Sequence, residues 1–174
     1  MKRFGAIMAA LTALLSFVTV PATAADPSLS PEANAAYLRA NGAKPGVVTR
    51  PSGLQYSIIK NGFGGRALAT DLVKVSYVGM LINGKVFDGT EPMTPASFTV
   101  NKLIPGWTEA LSIMRVGDKW HIVIPANLAY GPRGAGDGLI PPNQVLVFDM
   151  ELLEATHPKQ TAPDPNDPDA PQQQ

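Results

Sequence analysis

The chain has 174 residues, 45% of them hydrophobic, and its 14 basic and 14 acidic side chains give a formal net charge of zero. A nucleic-acid-binding surface needs clustered positive charge, so this balance argues against a nucleic-acid partner. Cysteine is absent, which excludes disulfides, zinc sites built from thiolates and catalysis by a thiol.

The first residues have the pattern of a secretory signal. Lys2 and Arg3 precede a mostly apolar run over residues 4–20, and the small-residue sequence Ala22-Thr23-Ala24 follows. This order predicts a signal peptide over residues 1–24, cleaved after Ala24. The alternative is a membrane anchor, but the apolar run is at the short limit for crossing a bilayer. We therefore predict a periplasmic or secreted protein without a stable membrane anchor.

Residues 25–50 are predicted to form a short helical leader. Ser30 can cap a helix, Pro31 suits its first turn, and Asn41-Gly42 can end it. A helix of about three turns is too short to be stable alone. This segment is therefore expected either to pack on the rest of the protein or to fray.

Alternating apolar and β-branched residues predict several antiparallel strands after the leader. Asn83-Gly84 is a strong signal for a tight hairpin turn between two of them. In the last predicted strand the apolar residues alternate with Asp149 and Glu151, so the face that carries these acids is expected to be wet. The predicted strands span residues 54–60, 72–81, 85–87, 96–100, 118–124 and 145–154.

One amphipathic helix is predicted between the strands, with Pro105 near its start and Gly117 at its stop. Its apolar residues share one helical face: Trp107, Ala110, Leu111 and Met114. A curved antiparallel sheet wrapped across this helix, an α+β architecture, would bury both apolar surfaces. We predict one such domain over residues 51–156, followed by a disordered tail over residues 157–174, which are rich in proline, aspartate and glutamine.

Few residues suggest acid–base or metal chemistry. His121 and His157 are the only histidines, one on a predicted polar strand face and the other in the predicted tail. A Ser-His-Asp site needs a histidine in a cleft, and no histidine–carboxylate cluster suggests a metal or other cofactor. Paired carboxylates for glycoside cleavage are not excluded by spacing, but nothing selects a pair. What remains is a set of aromatic and aliphatic residues at strand ends, which could form a pocket or only a core.

Five motifs, in this order and spacing, closely resemble the FKBP-type peptidyl-prolyl cis-trans isomerases over about residues 51–155. They are GKVFDGT, LIPGWTEAL, GDKWHIVIP, LAYGPRGAG and LIPPNQVLVFDMELL. The segment PSGLQYSIIKNG and the signal peptide resemble the bacterial periplasmic branch, which includes the macrophage infectivity potentiators. The resemblance implies an enzyme that accelerates rotation about Xaa-Pro bonds in unfolded or nascent exported polypeptides, at a site that macrolide inhibitors could also enter.

The resemblance also implies a pocket with Trp107 as its floor, an Ile104 amide that donates to bound ligand, and Asp88 at the rim. Phe87 would border the same cavity because the strand is expected to end and bend at Asp88-Gly89. The implied catalytic residues are Asp88, Tyr130 and Phe87. The implied substrate-binding residues are Tyr77, Phe98, Leu103, Ile104, Trp107, Leu139, Ile140 and Phe148. Leucine at positions 103 and 139 stands where the family commonly has valine or isoleucine.

Two other functions stay open from the sequence. A non-catalytic chaperone or proline-peptide binding module could use the same pocket, although the ring and rim residues whose loss would mark such a domain are all present. An acid–base hydrolase would need a perturbed pair of titratable groups in the cleft, and the sequence offers only Asp88. Infectivity-potentiator relatives carry a long helical dimerisation region where this chain has a short leader, so we predict a monomer.

Overall fold

The structure is a computed structural model that describes residues 26–157. The predicted signal peptide, and the predicted tail beyond His157, lie outside the described residues. The described residues form seven strands: β1 (Val48–Thr49), β2 (Gln55–Lys60), β3 (Leu72–Leu81), β4 (Val86–Gly89), β5 (Ala96–Thr99), β6 (Lys119–Ile124) and β7 (Leu146–Thr156). These strands make one antiparallel sheet in the spatial order β1-β2-β6-β7-β3-β4, and β5 also pairs with β3.

In the part of the chain that the structure describes, two α-helices accompany the sheet, α1 (Pro31–Gly42) and α2 (Pro105–Ile113). Helix α2 packs on one face of the sheet and buries Trp107, Ala110 and Leu111 in the main core. Gly106 allows this close packing, because a Cβ atom there would overlap the side chain of Ile124 on β6. The predicted α+β fold, a sheet wrapped across an amphipathic helix, is confirmed. Within residues 26–157, neither helix is long and apolar enough to cross a membrane.

The second face of the sheet is partly covered, so the prediction of a wet face was wrong at one end. There Val123, Val145 and Val147 form a smaller apolar cluster that packs against Tyr37 and Leu38 of α1. Farther along β7 the prediction holds better, because Asp149 is only half-buried and binds the ring of His121 on this face. The leader therefore packs on the body instead of fraying.

Amide side chains hold α1 in place. Asn34 and Asn41 are 5% and 2% exposed. The Asn34 side chain donates to Gln144 Oε1 (3.1 Å) and accepts from the Val145 N–H (2.7 Å). Asn41 donates to Gln55 Oε1 at 2.9 Å. Because each buried amide has a partner, burial of these polar groups does not carry the usual desolvation cost.

Candidate active site

A cavity of about 270 Å³ opens beside the N-terminal end of α2. It gathers residues that are distant in the sequence, from β3, β4, β5, β7, helix α2 and the segments that precede α2 and follow β6. Of the residues implied by the resemblance, the structure places nine around this cavity: Tyr77, Phe87, Asp88, Phe98, Leu103, Ile104, Trp107, Tyr130 and Phe148.

Trp107 forms the base of an aromatic cluster. Its ring centroid lies 4.9 Å from that of Tyr77, 5.3 Å from Phe148 and 5.8 Å from Phe98, with each pair close to perpendicular. Edge-to-face pairs of this kind are favourable because the positive edge of one ring meets the negative face of the other. The indole is 4% exposed, and its Nε1 has no hydrogen-bond partner among the described residues. The base of the cavity is therefore formed by packed aromatic rings, with one indole N–H that is unpaired within the described part of the chain.

Asp88 is held at the rim by two donors. The Tyr77 hydroxyl donates to Asp88 Oδ2 at 2.7 Å, and the Gly89 N–H donates to Oδ1 at 2.9 Å. Burial first, and this hydrogen bond to the carboxylate second, raise the pKa of Tyr77 far above its ordinary value. Burial and then the charge of Asp88 also raise the pKa of Tyr130. Both phenols are protonated at neutral pH, where Tyr77 donates to Asp88 and the Tyr130 hydroxyl is available to donate to a ligand.

A β-bulge directs Phe87 and Asp88 to the same cavity. Val86 pairs with Met80 and Asp88 pairs with Gly79, so Phe87 is an extra residue on β4. Strand β4 ends at Gly89, where the end of the strand was expected. An extra residue kinks the strand and breaks the alternation of its faces. This kink acts together with the end of the strand to bring the two neighbouring side chains to one cavity.

Leu139 and Ile140 do not line the cavity. The backbone groups of Ala135 and Ile140 exchange two hydrogen bonds, of 2.9 and 3.0 Å, and close this loop on itself. In the closed loop Ile140 is 5% exposed and joins the main core, whereas Leu139 is 41% exposed. The Ile140 side chain therefore points into the core and the Leu139 side chain into solvent, and neither of them reaches the pocket.

Lys102 lines the cavity, and sequence reasoning missed it. It is an exposed residue that ends a short 3-10 turn just before Leu103. A single exposed lysine carries no periodic or motif signal. Its position directly before the apolar pair that leads into α2 was the one available hint. The rim consequently carries a positive charge as well as the carboxylate of Asp88.

The backbone N–H of Ile104 is available to donate a hydrogen bond to a ligand. Among the described residues its N–H donates no hydrogen bond, although its carbonyl accepts from Trp107 and Thr108 at the start of α2. No three potential metal-ligating side chains converge anywhere in residues 26–157. The cavity thus offers apolar surface and single hydrogen-bond donors, and its titratable lining groups are Tyr77, Asp88, Lys102 and Tyr130.

Comparisons with known proteins agree with this geometry. A family model described as FKBP-type peptidyl-prolyl cis-trans isomerase matches residues 64–153, and one described as the domain amino terminal to it matches residues 18–58. The chain is 52% identical over 119 residues both to "Outer membrane protein MIP" of Legionella longbeachae and to "FKBP-type 22 kDa peptidyl-prolyl cis-trans isomerase" of Escherichia coli. Each match covers 68% of this chain, and the two cover 51% and 57% of the relatives.

A solved structure shares the fold. The peptidyl-prolyl cis-trans isomerase of Pseudomonas syringae pv. tomato is 40% identical, with a TM-score of 0.68, and the match covers 72% of this chain and 92% of that one. The chain spans about half the length of the curated relatives it matches.

Proposed function

Because the chain belongs to the FKBP-type peptidyl-prolyl cis-trans isomerase family, we propose that it accelerates the rotation of Xaa-Pro peptide bonds in other polypeptides. The observation that carries the proposal is the cavity of about 270 Å³ in which Tyr77, Phe98, Trp107 and Phe148 enclose a largely apolar space beside a few hydrogen-bond donors. Such a space suits a prolyl ring and the amide that precedes it.

The chemistry requires no nucleophile. Rotation about a peptide bond has a barrier of about 18–20 kcal/mol because resonance must be lost in the twisted amide. The cis and trans states at proline differ by only about 0.5–1 kcal/mol, so the task is to lower the barrier between them. The twisted amide has less charge separation than the planar one and is therefore favoured in an apolar site. A site that binds the twisted form better than the planar form is a catalyst.

The polar groups at the rim are proposed to orient the substrate. The Ile104 N–H has no partner among the described residues. The Tyr130 hydroxyl, whose pKa burial raises above its ordinary value, is protonated at neutral pH. Either group can donate to a substrate carbonyl. Asp88, held by Tyr77 and Gly89, places negative charge beside the reacting amide, and Phe87 forms the adjoining wall.

Asp88→Ala is expected to lower kcat/KM for a proline peptide about tenfold, since a hydrogen bond to a charged group contributes about 1.5–3 kcal/mol. Kinetics of the variant measure this, and Glu154→Ala, which removes a carboxylate that is paired with Lys74 away from the cavity, is the control. Adding Tyr77→Phe to Asp88→Ala should cost less than the two single effects combined, because both remove the same hydrogen bond. Normal turnover in folded Asp88→Ala would remove Asp88 from the mechanism.

The substrates and the location are also part of the proposal. Proline-containing segments of unfolded or nascent exported polypeptides would meet the enzyme in the periplasm. The predicted signal peptide supports this location, as does the similarity to a Legionella longbeachae relative that is named an outer membrane protein. Binding of macrolide inhibitors and the monomeric state stay predictions.

The test is the refolding of a protein whose slow phase is limited by proline isomerisation, which takes about 10–100 s at 25 °C without a catalyst. Catalytic amounts of the purified protein should shorten this phase in proportion to enzyme concentration. A non-catalytic binding module would instead leave the rate unchanged, or retard refolding at stoichiometric amounts. That outcome would show that the cavity binds polypeptides without catalysing isomerisation.

A further inference from the structure

A second concave surface lies at the edge of the sheet and encloses about 730 Å³. We name it the arginine groove, because Arg50, Arg66 and Arg115 line it together with Tyr56, Ile58 and Phe63. It shares no lining residue with the aromatic cavity. Its apolar wall continues into the core, where the ring of Tyr56 stacks on Trp120 with 4.2 Å between centroids.

The groove has a surplus of positive charge. Within residues 26–157, neither Arg66 nor Arg115 forms an ion pair, whereas Arg50 binds Glu109 at 3.3 Å. The one carboxylate in the lining, Asp118, is 5% exposed, and its two oxygens already accept backbone N–H groups of Gly62 and Arg115. Arg115 Nη1 donates to the Gly64 carbonyl at 3.3 Å. The remaining donors of the exposed Arg66 and Arg115 guanidinium groups are available to an acidic partner.

The groove also lies along an incompletely paired strand. Strand β1 pairs with β2 only through Val48–Tyr56 and Thr49–Gln55, so residues 57–60 have no neighbouring strand on that side among the described residues. Ile58 is 47% exposed and Phe63 is 95% exposed. An open edge with exposed apolar side chains is a place where an extended peptide can add as a further strand.

We propose that the arginine groove binds an extended acidic segment of an unfolded polypeptide, which adds as a strand to the free edge of β2. An added strand would lie about 4.7–4.9 Å from β2, and alternate side chains would point to the groove, as Tyr56 and Ile58 do. Acidic side chains on that face would meet Arg66 and Arg115 and would pack their methylene groups against Ile58 and Phe63. The alternate, apolar side chains would lie on the opposite face. This site needs no proline and does not depend on the isomerase activity.

The proposal is tested with a short fluorescent peptide in which valine and glutamate alternate and proline is absent. Its anisotropy should rise on addition of the purified protein, and binding should weaken as salt is added, because exposed charges are screened. Arg66→Glu should weaken binding about fivefold or more, since it replaces an attraction between exposed charges with a repulsion. Arg66 is exposed and in no ion pair of the described residues, so this variant should fold.

The matched control is Lys85→Glu, the same reversal of charge at an exposed position in the β3–β4 hairpin, at the other end of the sheet. It should bind the peptide as the unmodified protein does. A peptide with glutamine in place of glutamate should bind weakly to all three proteins. A proline-containing ligand of the aromatic cavity should leave the bound acidic peptide in place.

Three results would overturn the proposal. The first is equal loss of binding in Arg66→Glu and Lys85→Glu, which would show a response to net charge alone. The second is displacement of the acidic peptide by the proline-containing ligand, which would place it in the aromatic cavity. The third is peptide-independent dimerisation that Arg66→Glu abolishes, which would show that a second copy of the chain occupies the edge.

Discussion

Gly79→Ala is expected to disable the proposed isomerase site, although Gly79 lies on β3 and is not one of the residues that line the cavity. A Cβ atom at this position would lie 2.7 Å from Phe148 Cε1 and 2.9 Å from Phe87 Cζ. Both rings are walls of the cavity and pack against each other, with 5.7 Å between their centroids. At least one of them must therefore move. Overpacking of this kind costs about 1–3 kcal/mol of stability, and the displaced ring should fill the cavity or open it to water.

The measurement is kcat/KM for a proline peptide together with the free energy of unfolding in denaturant. Gly65→Ala is the matched control, because a Cβ there meets no atom within 4 Å and the backbone is not in the left-handed region. It should leave both quantities unchanged. If Gly79→Ala turns over as well as the unmodified protein, the packing of Phe87 on Phe148 has no bearing on the site.

Trp107→Leu is expected to lower turnover per folded molecule about tenfold, which corresponds to about 1.4 kcal/mol of transition-state stabilisation. Leucine cannot keep the edge-to-face contacts with Tyr77, Phe98 and Phe148, and water would enter the base of the cavity. The substitution should also reduce the free energy of unfolding by about 2 kcal/mol or more, since it leaves a void in the core.

Loss of stability alone would not show a functional role, so Trp120→Leu provides the comparison. Trp120 is 3% exposed in the same core, its Nε1 also has no partner among the described residues, and it does not line the aromatic cavity. Trp120→Leu should destabilise the protein by a similar amount and leave turnover per folded molecule unchanged. Equal kinetics for the two variants would make Trp107 a core residue only.

The fold could be predicted from the sequence where the residue pattern of one strand or helix is sufficient to identify it. The alternation in residues 72–81 predicted the bounds of β3, and the helical spacing that begins at Trp107 predicted α2, which ends at Ile113, before the predicted stop. Strand β1 was missed because two residues are too few for a pattern to show. The packing of α1 was not decided by its sequence, since Asn34 and Asn41 are buried through partners on β2 and before β7.

The candidate site depended on long-range contacts and was therefore harder to predict. Composition and spacing could not show that Tyr77, Trp107 and Phe148 meet, and their grouping came from the resemblance of motifs. The β-bulge at Phe87 was missed because β4 has four residues, too few for the break in its alternation to show in the sequence. The positions of Ile140 and Lys102 depend on how a loop closes and where a turn ends, and neither is encoded by periodicity.

The central claim is that an apolar cavity lowers the rotation barrier without transferring a proton. It is tested most directly by kcat/KM for a proline peptide in H2O and in D2O, between pH 6 and 9. Burial raises the pKa of both Tyr77 and Tyr130, so neither phenol should lose its proton in this range. The account predicts that the protein isomerises the peptide much faster than buffer alone does, and at the same rate in H2O and in D2O. The ionisation of Tyr77 or Tyr130 should cause no change of rate with pH in this range. A rate no faster than buffer, or one several-fold slower in D2O, would contradict it.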